Sequence, residues 1–249
     1  MTRSKGRRLL LCAATAAFAA PSAAAGDPPS TGGTQAPPPP TTESVVSAEG
    51  PQVTVATRAG TMLRKLARFR GTAPVDQAGR TVTIERFDEA TQTWGAVATA
   101  TIEADGSYLA RWRTDRVGEH RVRAVLGAGG QAVAAAATPE LAITIHRPAK
   151  ATWYGPRFYG KRTACGQRMS RTLLGVAHKT LPCGTQVAVL YKGRRITVPV
   201  VDRGPFANGA HWDLTAATAQ ALRFEHTDRV GAVRMAAATP QRPSAPRAP

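Results

Sequence analysis

Carboxylates are scarce in the C-terminal part of this chain, and two of them keep unusual company. Residues 151–236 contain four acids: Asp202, Asp213, Glu225 and Asp228. The stretch VPVVDRGPFANGAHWDL, residues 198–214, holds the first two. Asp202 closes an apolar run and precedes Arg203-Gly204-Pro205, whereas Glu225 and Asp228 fall in the polar loop EHTDR and read as solvent-exposed. A carboxyl at the end of an apolar strand is partly desolvated, which raises its pKa toward the range where one group can both give and take a proton. Asp202 is therefore the candidate acid/base. The competing reading is that an Asp before Arg-Gly-Pro accepts main-chain N–H bonds and fixes its loop; the two are compatible. Asp213 reads as a helix cap or as a brace for the loop behind Asp202. There is no phosphate-cradling glycine loop, no Ser-His-Asp order and no CxxC pair. No cofactor is implied.

These side chains need elements to hold them. VAVLYKGRRITVPVVD reads as a hairpin: Val187 to Tyr191, a Lys192-Gly193 turn, then Arg195 to Val201. DLTAATAQALRF reads as one short helix, capped by Asp213 or Thr215, with Leu214, Ala217, Ala221 and Leu222 on one face. GAVRMA is a last strand. One helix among many short strands suggests a compact barrel over residues 151–236, joined to what precedes it by Pro148-Ala149-Lys150. Residues 51–147 look all-β: VTVAT, TVTIERF, SYLARWRT and EHRVRAVL alternate, with turn residues such as Asp105-Gly106 between them. Short strands at regular spacing suggest an immunoglobulin-like β-sandwich. The pattern D-G-S-Y followed by G-x-H-R-V-R-A resembles bacterial surface immunoglobulin-like modules. His120 and His146 read as strand residues without a chemical role.

The N-terminus places Arg3, Lys5, Arg7 and Arg8 before the apolar run Leu9 to Ala20, and Ala23-Ala24-Ala25 after it. This is the pattern of a secretory signal peptide over residues 1–25, too short to span a bilayer and so no stable membrane anchor. Residues 26–50 and 237–249 are rich in Pro, Thr, Ser and Gly and read as a disordered linker and tail. Export leaves two cysteines, Cys165 and Cys183, which read as one disulfide worth about 3 kcal/mol on chain-entropy grounds. Two thiols without a His pair at ligand spacing make a poor metal site. The formal charge is +17, and removing the four signal-peptide cations leaves +13. Such a charge attracts polyanions. For an exported protein, anionic cell-wall polymers are a better partner than nucleic acid, and a basic surface that aids solubility is the bland alternative.

WYG at 153–155, TACGQ at 163–167, AHKTLPCGT at 177–185, VDRGPF at 201–206 and DLT at 213–215 together resemble the double-psi β-barrel domain of the rare lipoprotein A (RlpA-like) septal lytic transglycosylases. His211-Trp212-Asp213 is similar to the H-F-D motif of expansins, which share that barrel. The resemblance implies a six-stranded double-psi barrel with one or two short helices. It also implies a cell-wall localisation, and a cleft that takes peptidoglycan glycan strands and cuts the MurNAc–GlcNAc bond without water. One acid would protonate the leaving oxygen and then take the proton of the muramyl 6-hydroxyl, giving a 1,6-anhydro end. On this footing Asp202 and His178 would be catalytic, the His orienting the Asp or meeting substrate. Trp153 and Tyr154 would stack on sugar rings, and Arg203 would hold a lactyl carboxylate or pair with Asp213, itself a possible second cleft carboxylate. Cys165–Cys183 would tie together the two loops that flank the cleft. The family carries Glu where this chain has Gln167. An amide binds sugar hydroxyls but cannot transfer protons, so an expansin-like, non-cleaving glycan binder is the alternative. A half-buried His178 satisfying a turn carbonyl, and Trp153 in the barrel core, are the corresponding structural readings.

Overall fold

The computed structural model describes residues 41–42, 45–127 and 138–236, all within one compact unit. The signal peptide, most of the linker and the tail lie outside the described residues. The protein is mainly β, with 15 strands and one α-helix among those residues.

Two sheets enclose the N-terminal core. One has the order β2 (Val45–Glu49), β3 (Thr54–Arg58), β5 (Leu66–Thr72), β8 (Ser107–Arg113). The other runs β7 (Thr93–Thr101), β6 (Thr81–Asp88), β9 (Gly118–Leu126), β10 (Glu140–Tyr154), and β4 (Gly60–Met62) also pairs with β10. Period-2 alternation sends Val55, Phe69, Ile84, Trp112, Val122 and Ile145 into one shared cluster. Val45–Glu49 departs from the linker expectation. It pairs along its length with β3, from Val45 opposite Arg58 to Glu49 opposite Thr54, and so becomes an edge strand.

The second body is a closed six-stranded barrel. Its path is β14 (Trp212–Thr215), β11 (Val176–Ala177), β13 (Arg194–Asp202), β12 (Gln186–Tyr191), β15 (Asp228–Arg234), β10, and β10 closes the ring by pairing parallel with β14. The β12–β13 turn has Lys192 at φ 45° and Gly193 at φ 75°, the double positive φ of a tight hairpin. Val176, Val198, Leu214, Leu222 and Phe224 fill the interior. The helix α1 (Ala216–Leu222) is capped by Thr215, whose hydroxyl accepts from the Thr218 amide. Asp213, the other capping candidate, stays in β14.

Pro148-Ala149-Lys150 is not a joint. These residues lie inside β10, opposite Gly231, Val230 and Arg229 of β15. The strand runs on because Pro fixes a φ compatible with extended backbone and needs only a partner that does not require its missing N–H. One 15-residue strand thus serves both bodies: Glu140–Ile145 pairs with β9, and Arg147–Ala151 pairs with β15. The short β1 (Thr41–Thr42) adds to the start of β13.

Candidate functional site

Sheet register brings four residues into one row. Ala177 of β11 lies beside Asp202 of β13 on one side and beside Asp213 of β14 on the other, and Asp213 lies beside Thr152 of β10. Registered neighbours point to the same face. The two carboxyls therefore share a face at two strand spacings, about 10 Å between Cα atoms.

Asp202 reaches that face because of an extra residue. Along β13, Ile196, Val198 and Val200 are buried and alternate with half-exposed residues. Strict alternation would put position 202 in the core. Instead the register shifts between Val176, which pairs with Val200, and Ala177, which pairs with Asp202. Val201 is the additional residue and is buried too. A bulge of this kind re-aims the side chain that follows it.

The Asp202 carboxylate is held on both oxygens. Oδ1 accepts the amides of Ala164 and Arg203, each at 2.8 Å, and Oδ2 accepts the Tyr154 hydroxyl at 3.2 Å. Asp202 is thus a loop anchor, as the competing sequence reading has it, and its side chain also lines an open trough. The Ala164 amide belongs to the loop TACGQ, where Gly166 takes φ 91° and the Cys165–Cys183 disulfide fastens the loop to the turn before β12. Burial, together with the charge of Asp202, pushes the Tyr154 hydroxyl well above the usual tyrosine range, so it stays a donor.

Asp213 is the less tethered acid. Thr152 donates to its Oδ1 at 2.8 Å, and its other oxygen has no hydrogen-bond partner among the described residues. Burial pushes its pKa up to about 6, against the lowering effect of the Thr152 bond and with a further rise from Asp202.

His178 and Gln167 are not among the residues that line the trough, although the His178 amide donates to the Asp202 carbonyl at 3.2 Å. The imidazole Nδ1 accepts the amides of Thr180 at 3.2 Å and Leu181 at 3.0 Å, and the ring lies 4.5 Å from that of Trp212. Burial, then the nearby Arg203, lowers its pKa, which keeps Nδ1 free to accept. It caps turn amides, where the sequence suggested a turn carbonyl. The Gln167 amide, turned so that its nitrogen donates, reaches the carbonyls of Cys165 and Val201 at 3.3 Å and the Thr163 hydroxyl at 3.1 Å. A carboxylate turned the same way would oppose those oxygens, which is a physical reason for Gln at this position. Arg203 lines the trough but does not pair with Asp213. Its guanidinium contacts the His178 carbonyl at 3.5 Å and Cys183 Sγ at 3.2 Å.

The trough has a volume of about 650 Å³ and runs past Tyr154, Asp202, Arg203 and Asp213. Trp153 is 40% exposed at its edge, with its indole N–H donating to the Glu225 carbonyl, so it is not a core residue. Two aromatics absent from the sequence-derived site also line it: Phe158, packed edge-on to Tyr154, and Phe206, 81% exposed. The only sequence trace of Phe206 is its place in VDRGPF, where nothing pairs it with an apolar neighbour. The loop EHTDR contributes His226 and Thr227 to the wall, while Asp228 accepts the Tyr191 hydroxyl elsewhere. Among the described residues no cluster of His, Cys, Asp or Glu could hold a metal ion, and no helix is long and apolar enough to cross a membrane.

Residues 147–236 match the family described as Lytic transglycolase. The chain is 41% identical over 126 residues to the probable endolytic peptidoglycan transglycosylase RlpA of Synechocystis sp., covering 46% of this chain and 39% of that protein. It is 46% identical over 74 residues to the protein of the same name from Aquifex aeolicus, covering 29% and 33% respectively. It is 45% identical over 74 residues to endolytic peptidoglycan transglycosylase RlpA of Campylobacter jejuni, covering 29% and 27%. The chain thus spans between about a quarter and two fifths of the length of these relatives. Residues 147–236 form an RlpA-like double-psi β-barrel domain.

Proposed function

We propose that this protein is exported and cleaves peptidoglycan glycan strands as a lytic transglycosylase, with the Asp202–Asp213 pair as its acid/base couple. The observation that carries this reading is the row Asp202–Ala177–Asp213–Thr152 along an open trough rimmed by aromatic side chains. Asp213, raised to about 6, holds the proton in the resting site below that pH, and Asp202 stays anchored across Ala177 from it. The pair delivers that proton to the leaving glycosidic oxygen as the C1–O4 bond breaks, with the substrate's acetamido oxygen covering C1. It then takes the proton of the muramyl 6-hydroxyl as O6 bonds to C1, which releases the acetamido group and regenerates the acid. No water is consumed. Trp153, Phe158 and Phe206 give sugar faces an apolar platform. Residues 1–25 serve as the export signal and residues 26–40 of the linker as a spacer. The two-sheet body is an immunoglobulin-like module.

The test is product analysis on purified glycan strands. The protein releases 1,6-anhydro ends, and Asp213→Asn and Asp202→Asn each cut that release by at least about 100-fold while strand binding persists. A second reading, a non-cleaving glycan binder, is supported by Gln167, whose amide braces its loop in place of an acid. Intact strands that pull down the wild-type protein would establish it instead.

A further inference from the structure

The arginines of the two N-terminal sheets are treated differently. On the sheet containing β6 and β9 they are neutralised. Arg86 pairs with Asp115 at 2.7 Å, Arg121 with Glu140 at 2.9 Å and Arg123 with Glu85 at 2.7 Å. Arg121 and Arg123 also lie over the Trp94 ring. On the four-stranded sheet, the outward positions of β5 and β8 carry Arg68, Arg70 and Arg111 with no hydrogen bond or ion pair on their side chains among the described residues. Register sets Arg68 directly opposite Arg111, like charges at a spacing that weakens a sheet. Beside this face a groove of about 570 Å³ opens between β3, β5 and the Lys192-Gly193 turn of the barrel. Arg58, Lys65, Arg68, Arg70 and Lys192 line it, and among the described residues no Asp or Glu does.

We propose that this face and groove bind a linear anionic polymer of the cell envelope that carries phosphate diesters along its backbone. A guanidinium fork matches phosphate oxygens bidentately. A tetrahedral phosphate offers oxygens in different planes, so Arg68 and Arg111, about 5 Å apart across the strands, can share one group. Arg70 lies about 7 Å further along β5 and meets the next. The polymer supplies negative charge to Arg68, Arg70 and Arg111, for which the described residues supply no ion-pair partner. The outward positions of β3, β5 and β8 carry no aromatic side chain. Proteins that hold single-stranded nucleic acid use aromatic platforms, so this face suits a polymer without bases. The site borrows from the proposed function only its envelope setting.

The experiment titrates the mature chain with fluorescent poly(glycerol phosphate) between 50 and 200 mM salt, as order-of-magnitude bounds over which phosphate contacts register. The triple variant Arg68→Gln, Arg70→Gln, Arg111→Gln is expected to weaken binding at least tenfold and to flatten the log–log salt slope by about 2. Its thermal midpoint should stay level or rise, because a repulsion has been removed. Arg68→Lys with Arg111→Lys keeps the charge, so the slope should hold while affinity falls. Asp202→Asn should bind the polymer like the wild type, which separates failure of this site from failure of the catalytic reading. Wild-type affinity in both arginine variants overturns the proposal. So does poly-aspartate binding as tightly as the phosphate polymer, or a single-stranded oligonucleotide binding more tightly.

Discussion

Burial acts on Asp213 and His146 with opposite signs. Asp213 titrates at about 6 when folded against an ordinary 3.8, so the folded chain holds that proton more tightly. Its contribution to stability therefore falls as pH rises from about 4 to 6. His146 is fully buried on β10, with one ring nitrogen on the Thr61 carbonyl and Nε2 unpartnered. Burial, aided by Arg195, lowers its pKa to about 4 from 6.5. The unfolded chain takes up this proton first, so about 3 kcal/mol of stability is present above pH 6.5 and is lost as pH falls toward 4. Urea unfolding of Asp213→Asn should show a gain over wild type that is absent near pH 4, grows between about pH 4 and 6 and is complete above pH 6. His146→Gln should lose most relative to wild type at pH 7 and least near pH 4. Activity should decline as pH rises through about 6, where Asp213 gives up its proton. Replacing Cys165 and Cys183 together by Ser should cost about 3 kcal/mol in denaturant. It should also slow glycan cleavage, because the Ala164 amide that anchors Asp202 lies in the loop they fasten. The acids were legible from their place beside apolar runs. Phe158 and Phe206 were not, because exposed aromatics leave no periodic pattern.

At the scale of elements, β11 is two residues long and separates both carboxyls. Its Ala177 is 2% exposed and sits between them in the row. Ala177→Leu is expected to cost about 1–3 kcal/mol in stability by overpacking. It should abolish release of anhydro ends even under conditions where circular dichroism shows an intact fold. The hairpin β12–β13, helix α1 and strand β15 follow from alternation, capping and turn residues. The bulge at Val201 does not, since parity read along the strand points Asp202 inward and only the neighbour's register reverses it. Pro148 misled for a related reason: composition marks it as a break, but pairing with β15 carries the strand through it. Val45–Glu49 follows a Pro-rich run and becomes a strand only because β3 offers it an edge.

Taken whole, the molecule has two cores and one strand common to both. Ile143 and Ile145 of β10 belong to the first core, and Ala151 belongs to the second. Phe69→Ala in the first core should cost about 3–5 kcal/mol. Hydrogen exchange should then show faster opening of barrel amides on β15 and β14 as well, in one cooperative transition. Two separate transitions would be the contrary result. The common strand was hidden in the sequence because its two halves follow different neighbours. Fifteen extended residues measure about 50 Å. That length is a built-in gauge: β10 runs from one sheet of the first body into the barrel wall, so on the two proposals above a polyanion held on the opposite, arginine-bearing sheet and a glycan strand lying in the carboxyl trough would be kept at a set offset from each other.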